Sequence, residues 1–285
     1  MCFRQITINV RRAFAVSLAL TALCSTGVVR AAEMTYPISV AATADGTIYV
    51  ADLKLPGIWK SKDGSLEVYF QGSNQFGTPL NGVRCLAVDK DGKLLAGDSA
   101  TREVYRFDDE GKPQPLTKGG IGMPQGIAVG EDGTLFVSDL ETHSIYKVPA
   151  AGGTATTFAR VKGPLGMVMD GDKNLVVVTR QGKLFKVNGE GKAESFGERG
   201  YKFAQGIANG PEKSYFVSDS YAGSILKIGA DGKSSGWSSG EPFKGPVGLA
   251  ASGEKLLVAD PKVPGIFSVS GEGKAEKLLP APAGK

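Results

Sequence analysis

The sequence predicts an all-β protein, a six-bladed β-propeller of four-stranded antiparallel blades. Three observations carry this. A unit of about 40 residues recurs six times. Each unit holds short apolar runs separated by turn residues. Glycine is abundant, 40 in 285 residues, without the Gly-X-Y period of collagen. Hydrophobic residues at 41% and charged residues at 22% exclude a disordered chain.

The third copy shows the unit most clearly. Gly126-Ile127-Ala128-Val129 is a first run, Asp132-Gly133 a turn, and Thr134 to Asp139 a second run ending in an acid. Copy one runs from Ser39 to Asp52 around Asp45-Gly46, and copy two from Cys85 to Asp98 around Asp91-Gly92. Copy four begins at Gly166, has Lys173-Asn174 at the turn, and carries Thr179 where the acid belongs. Copy five runs from Gly206 to Asp219, and copy six, slightly shorter, from Gly248 to Asp260. The interval between the first two terminal acids is longer than the rest by about five residues, which map to Gln71 to Asn81.

A third run follows in each unit, as in Glu103 to Phe107, Ser144 to Val148, Lys183 to Val187 and Ser224 to Ile228. A weaker fourth run follows that, as in Leu66 to Phe70, Thr154 to Phe158 and Ala193 to Phe196. Residues 36–285 are therefore expected to form a single propeller domain. Its first strand lies near Ile38 and its last near Leu278, which predicts closure by blade packing without a shared strand.

The N-terminus reads as an address. Arg4, Arg11 and Arg12 precede an uncharged stretch from Ala13 to Val29, and Val29-Arg30-Ala31 fits a small-residue cleavage site. Residues 1–31 are expected to be a cleaved signal peptide, placing the protein in the periplasm or outside the cell. Arg11-Arg12-Ala13-Phe14 is similar to a twin-arginine signal, although Val10 stands where Ser or Thr is usual. Leu23 before Cys24 argues against lipid attachment. The formal charge of +4 comes entirely from Arg4, Arg11, Arg12 and Arg30. The remainder is neutral, so nothing supports a nucleic-acid or anionic-membrane partner. A monomer is expected.

Antiparallel pairing puts the start of each first strand and the end of each second strand on one face, with the Asp-Gly turns on the other. The channel mouth is then ringed by Ile38, Arg84, Gln125, Leu165, Gln205 and Val247. A rim half polar and half apolar suits a small molecule, glycan or peptide. Asp52, Asp98, Asp139, Asp219 and Asp260 recur with the fold, and their carboxylates are expected to accept backbone N–H bonds from the loops that follow. The candidate ligand contacts are Arg84, Gln125, Gln205, Arg180, Asp98, Asp139 and Asp219. Arg180, beside Thr179, would fix a carboxylate ligand or neutralise the acidic ring. The bland alternative pairs Arg84 with a ring acid and ties the Gln amides to backbone. His143 is expected at the surface or in packing, Cys85 as a buried unreactive thiol, and Trp59 and Trp237 between blades. The insertion at Gln71 to Asn81 is expected on the mouth face as a flap.

The pattern Pro-x-Gly-Ile-Ala-Val … Asp-Gly … Leu-Phe-Val-Ser-Asp … His-x-Ile-x-Lys-Val, at Pro124 to Val148, resembles the NHL repeat. That resemblance covers the chain beyond the expected signal. It implies the superfamily of the senescence-marker-protein/gluconolactonase-like proteins and the peptidyl-amidating lyases. The gluconolactonase-like members hold a divalent metal at the mouth with a Glu, two Asn and an Asp. Here Gln125, Gln205 or apolar residues stand where the Asn belong, and Ile38 stands where the Glu belongs. The amidating lyases need several His around zinc, and this chain has one. Neither set transfers, so no cofactor is expected. A noncatalytic, exported binding propeller is the first expectation. A lactonase with a divergent divalent-cation site is the alternative.

Overall fold

The computed structural model describes residues 33–280 apart from positions 74, 76 and 199. The expected signal peptide, with Cys2, Cys24 and the arginines of residues 1–31, lies outside the described residues. Among the described residues no helix is long and apolar enough to cross a membrane.

Six four-stranded sheets form, each from four consecutive strands in simple meander order. Every pairing is antiparallel. The inner strands are Pro37–Ala42, Val83–Val88, Pro124–Val129, Pro164–Met169, Ala204–Asn209 and Gly248–Ser252. The second strands are Ile48–Asp52, Leu94–Asp98, Leu135–Asp139, Leu175–Thr179, Tyr215–Asp219 and Lys255–Asp260. Each inner strand packs against the inner strands of the two neighbouring blades, and the first packs on the sixth. This is the expected six-bladed propeller.

Second strands lose the in-out alternation of a half-buried strand because neighbouring blades cover both faces. Leu94–Asp98, Leu175–Thr179 and Tyr215–Asp219 are buried at every position. Outer strands meet solvent, and their apolar signal is correspondingly weak. The outer strand of blade three is Thr156–Arg160, two residues beyond the expected run. A register shift at Ile145/Tyr146 lets its pairing extend to Arg160 opposite Ser144.

The core is distributed as one hydrophobic cluster at each blade interface. Ala41, Ile58, Leu86 and Phe107 join blades one and two. Val40, Trp59, Leu257, Ile266 and Leu279 join blade six back to blade one. Burying a large aliphatic or aromatic side chain stabilises by about 1.5–3 kcal/mol, so this closing seam holds the ring as the other five do. Among the described residues no strand is shared across it. Trp59 and Trp237 both sit at interfaces. The Trp59 indole donates to Asp52 (3.3 Å), and that of Trp237 to the Gly271 carbonyl of blade six (3.3 Å).

The degenerate turn of blade four keeps the shape of the others. Lys173 takes φ 64°, where Gly92 and Gly133 take 79° and 80° in blades two and three. This left-handed conformation strains a side chain that glycine lacks.

Candidate functional site

The inner strands enclose a central cavity of about 550 Å³. All six rim positions line it: Ile38, Arg84, Gln125, Leu165, Gln205 and Val247. A repeated irregularity places five of them there, Val247 of blade six being the exception. In blades one, two and three the strand register slips by one residue at Ile38, Arg84 and Gln125. The same slip spans Leu165-Gly166 and Gln205-Gly206 in blades four and five. A β-bulge leaves its extra residue outside the ladder and re-aims its side chain, here into the mouth.

The repeat glycine that blades three and four carry next to the rim residue has a different task. A Cβ on Gly126 would stand 2.9 Å from the Leu165 carbonyl oxygen, and one on Gly166 2.7 Å from that of Gln205. Adjacent rim backbones therefore touch, and the ring stays narrow. Hydroxyls from the second strands tie rim carbonyls down. Ser138 Oγ donates to Leu165 O (2.6 Å) and Ser218 Oγ to Val247 O (2.8 Å).

The polar rim side chains keep most of their hydrogen-bonding groups uncommitted. Arg84 Nε donates to Ser99 Oγ (3.1 Å), which donates to the Gly82 carbonyl (3.0 Å). Among the described residues Arg84 forms no ion pair. The pairing with a ring acid does not form, because those acids are committed elsewhere. Gln125 and Gln205 are half-buried, and neither amide finds a side-chain hydrogen bond among the described residues.

The ring acids lie outside the cavity lining. Asp98, Asp139 and Asp219 are 0%, 0% and 2% exposed. Each carboxylate clasps two segments: the loop after its own strand and the segment entering the inner strand. Asp98 accepts from the N–H groups of Leu80 (3.0 Å), Gly82 (2.8 Å), Ala100 and Thr101 (3.2 Å each). Asp139 accepts from Gly122 (3.0 Å), Met123 (2.9 Å) and Glu141 (2.9 Å). Asp219 accepts from Lys202 (2.7 Å), Phe203 (3.2 Å), Tyr221 (3.2 Å) and Ala222 (3.1 Å). Asp52 and Asp260 make the same clasp. A carboxylate so saturated has no lone pair left for a ligand in the mouth. The structure thus places these three acids under the rim, holding it, and away from the ligand position expected of them.

Blade four replaces the clasp. Thr179 Oγ1 donates to the Lys183 carbonyl (2.9 Å), closing a tight turn. The Gly163 N–H, which a ring acid would take, goes instead to His143 Nδ1 of blade three (3.2 Å). The single histidine is thus an exposed loop residue bracing the next blade. Arg180 is exposed and absent from the cavity lining. Its backbone N–H reaches the Gly163 carbonyl (2.8 Å), and its guanidinium pairs with no acid among the described residues. It therefore neither joins the mouth nor neutralises the ring.

The described residues of the insertion do not cover the cavity as the expected flap would. None of them lines it, and Asn81 and Thr78 fold back on the Gln75 carbonyl (2.8 Å each). Cys85 is buried without a disulfide partner, and burial pushes its thiol up to about 12.

Ser220 and Lys262 also line the cavity, from loops that follow the second strands and were expected on the mouth face. Sequence reasoning missed Tyr36, Leu53 and Phe203, which line it from segments whose paths the repeat pattern does not specify. Two Gly-x-Ser-x-Gly stretches, Gly232 to Gly236 and Gly236 to Gly240, occur in blade five. They fall on the outer strand Ser234–Ser239, without the strand-to-helix elbow that exposes a nucleophilic serine.

The fit of a divalent cation can be read from the donor set. The lining contains no Asp, Glu or His, and its charged residues are Arg84 and Lys262. Among the described residues no group of three or more His, Cys, Asp or Glu is placed to hold a metal. Calcium-like ions need several oxygen ligands with negative charge, and this cavity does not fit one.

A sequence profile described as the SMP-30/gluconolactonase/LRE-like region matches residues 19–193, more than half of the chain. No curated protein sequence matches. Among solved structures, a gluconolactonase from Xanthomonas campestris is 18% identical, over 80% of this chain and 84% of that one, with a TM-score of 0.68. A streptogramin B lyase is 17% identical over 87% of this chain and 84% of its own, with a TM-score of 0.67. The nidogen/laminin complex contains a chain 16% identical over 85% of this chain and 92% of that one, with a TM-score of 0.66. These identities speak to the fold alone. By the profile match, the chain belongs to the SMP-30/gluconolactonase/LRE-like family.

Proposed function

We propose that this protein is an exported, noncatalytic binding propeller that takes its ligand at the channel mouth. One observation carries the reading. Arg84, Gln125 and Gln205 line the cavity with polar groups that the fold leaves unspent, while no carboxylate or imidazole lines it. Amide and guanidinium groups orient a ligand through hydrogen bonds and do not move its protons at neutral pH. The export half of the proposal rests on the N-terminal residues, and N-terminal sequencing of the secreted protein, starting at Ala32, tests it.

A second reading, a lactonase with a rearranged site, starts from the description of the family and from a gluconolactonase of the same fold. Metal content after purification without chelator, combined with a lactone hydrolysis screen, separates the two. The binding reading expects neither stoichiometric metal nor turnover. Stoichiometric divalent metal with lactone turnover overturns it.

A further inference from the structure

Within that binding reading, we infer that the ligand is a small organic carboxylate held at the mouth by Arg84 and Lys262. The inference deepens the proposed function and rests on it.

The cavity is electrostatically one-sided. Its two charged side chains are both cations, and no acid lines it to balance them. Neither cation is paired among the described residues. Arg84 uses only Nε, on Ser99, so both terminal amino groups of the guanidinium remain available. A guanidinium fork matches a carboxylate with two parallel N–H···O bonds. Lys262 is tethered, its Nζ donating to the Ser220 carbonyl (3.2 Å). Its stem lies over Gly245, where an added Cβ would meet Lys262 Cδ at 2.6 Å. An ammonium keeps donors to spare after one such bond. Arg84 is half-buried and Lys262 exposed, and both line one cavity, so an anion seated there is attracted by both.

The remaining lining says what else the ligand carries. A cavity of about 550 Å³ far exceeds an inorganic anion and suits an organic molecule. Leu86, Ile127, Met167, Ile207 and Leu249 line its wall. Gln125 and Gln205 can each donate and accept toward polar groups of the body. Tyr36 and Phe203 line the cavity, yet remain 41% and 38% exposed, among the few large apolar side chains so placed. Their rings flank the entrance and would be covered by a ligand seated there.

Calorimetric titration of the purified protein with matched acid–amide pairs tests this. The pairs are phenylacetate with phenylacetamide and hexanoate with hexanamide, with inorganic phosphate as a control. At least one acid is expected to bind about tenfold or more tightly than its amide and than phosphate. Arg84→Ala and Lys262→Ala are each expected to weaken that acid about tenfold at unchanged melting temperature, with Arg84→Lys recovering part of the loss. Equal binding of acid and amide, phosphate binding as tight as the acids, or no binding of either acid overturns the inference. So does acid binding that survives Arg84→Ala and Lys262→Ala. The parent reading fails on different evidence, lactone turnover with bound metal. A neutral ligand held at the mouth in place of acids ends this inference and leaves the parent reading standing.

Discussion

The sulfur of Cys85 occupies the space that a side chain on Gly97 would need. A Cβ on Gly97 would lie 2.6 Å from Cys85 Sγ. Blades three and five use the opposite arrangement, with Gly126 and Gly206 on the inner strand and Ser138 and Ser218 beside them on the second strand. Blade two has exchanged small for large across one strand pair, so the volume at the rim stays constant.

Gly97→Ala should therefore overpack the rim beneath Arg84. The expected cost is about 1–3 kcal/mol in urea unfolding. Cys85→Ala in the same chain should recover only part of it. Pro124 Cβ also stands 2.8 Å from the new methyl. Full additivity in the double-mutant cycle would show that Cys85 and Gly97 do not share that space.

Asp219→Ala should be among the most destabilising single changes in blade five. It strips four backbone N–H groups of a charged acceptor, in two segments that are otherwise joined here through Ser220 and the Phe203 carbonyl. A loss of about 3 kcal/mol is expected, since hydrogen bonds to charged groups are worth about 1.5–3 kcal/mol each and part is regained by hydration. Arg180→Ala, on the exposed side of blade four, should stay within about 0.5 kcal/mol of wild type. Denaturant midpoints for the two variants check both values.

His143 makes a finer test of the blade-four repair. His143→Ala removes the acceptor for the Gly163 N–H and puts alanine at φ 55°. About 1–2 kcal/mol should be lost. His143→Asn should retain most of the stability, because Asn tolerates the left-handed region. Thermal unfolding that ranks Asn no better than Ala would contradict this account of the loop.

Alkaline pH should unfold the protein in a defined window. Burial raises the Cys85 thiol to about 12. Burial, followed by the charge of Tyr49 for Tyr69 and of Asp170 for Tyr215, raises those phenols to about 12. Groups with raised folded-state values hold their protons more tightly when folded. Their contribution is complete below the ordinary values of 9.0 and 10.0 and disappears as pH climbs toward 12. Stability by urea titration should decline across that range. At pH 8 iodoacetamide should label Cys85 only as fast as the protein opens, and immediate labelling of the folded state would refute the buried-thiol assignment.

Much of the architecture was legible because a propeller repeats one local pattern. The Gly-apolar run, the Asp-Gly turn and the terminal Asp place inner and second strands almost to the residue. The same alignment identified the mouth ring, because equivalent positions in a repeat occupy equivalent places around the axis. Arg84, Gln125 and Gln205 were found this way. The acids were half legible. Their bonds to the following loop follow from local chain geometry, but the second half of each clasp reaches back about 16 residues. Leu80, Gly122 and Lys202 enter only through the fold.

Local pattern, burial periodicity and turn chemistry lie within one blade, and the sequence by itself determined them: six blades, their strand order, the face carrying the rim and the six residues on it. Contacts between blades and the course of the loops depend on closure of the ring, and only the tertiary structure decided those. It turned Arg180 away from the mouth, buried Asp98, Asp139 and Asp219 beneath backbone N–H groups, lent His143 to the next blade and brought Lys262 to the cavity that Arg84 lines. A side chain's role at such a site follows from which partners have already claimed its hydrogen bonds, and those partners are neighbours in space.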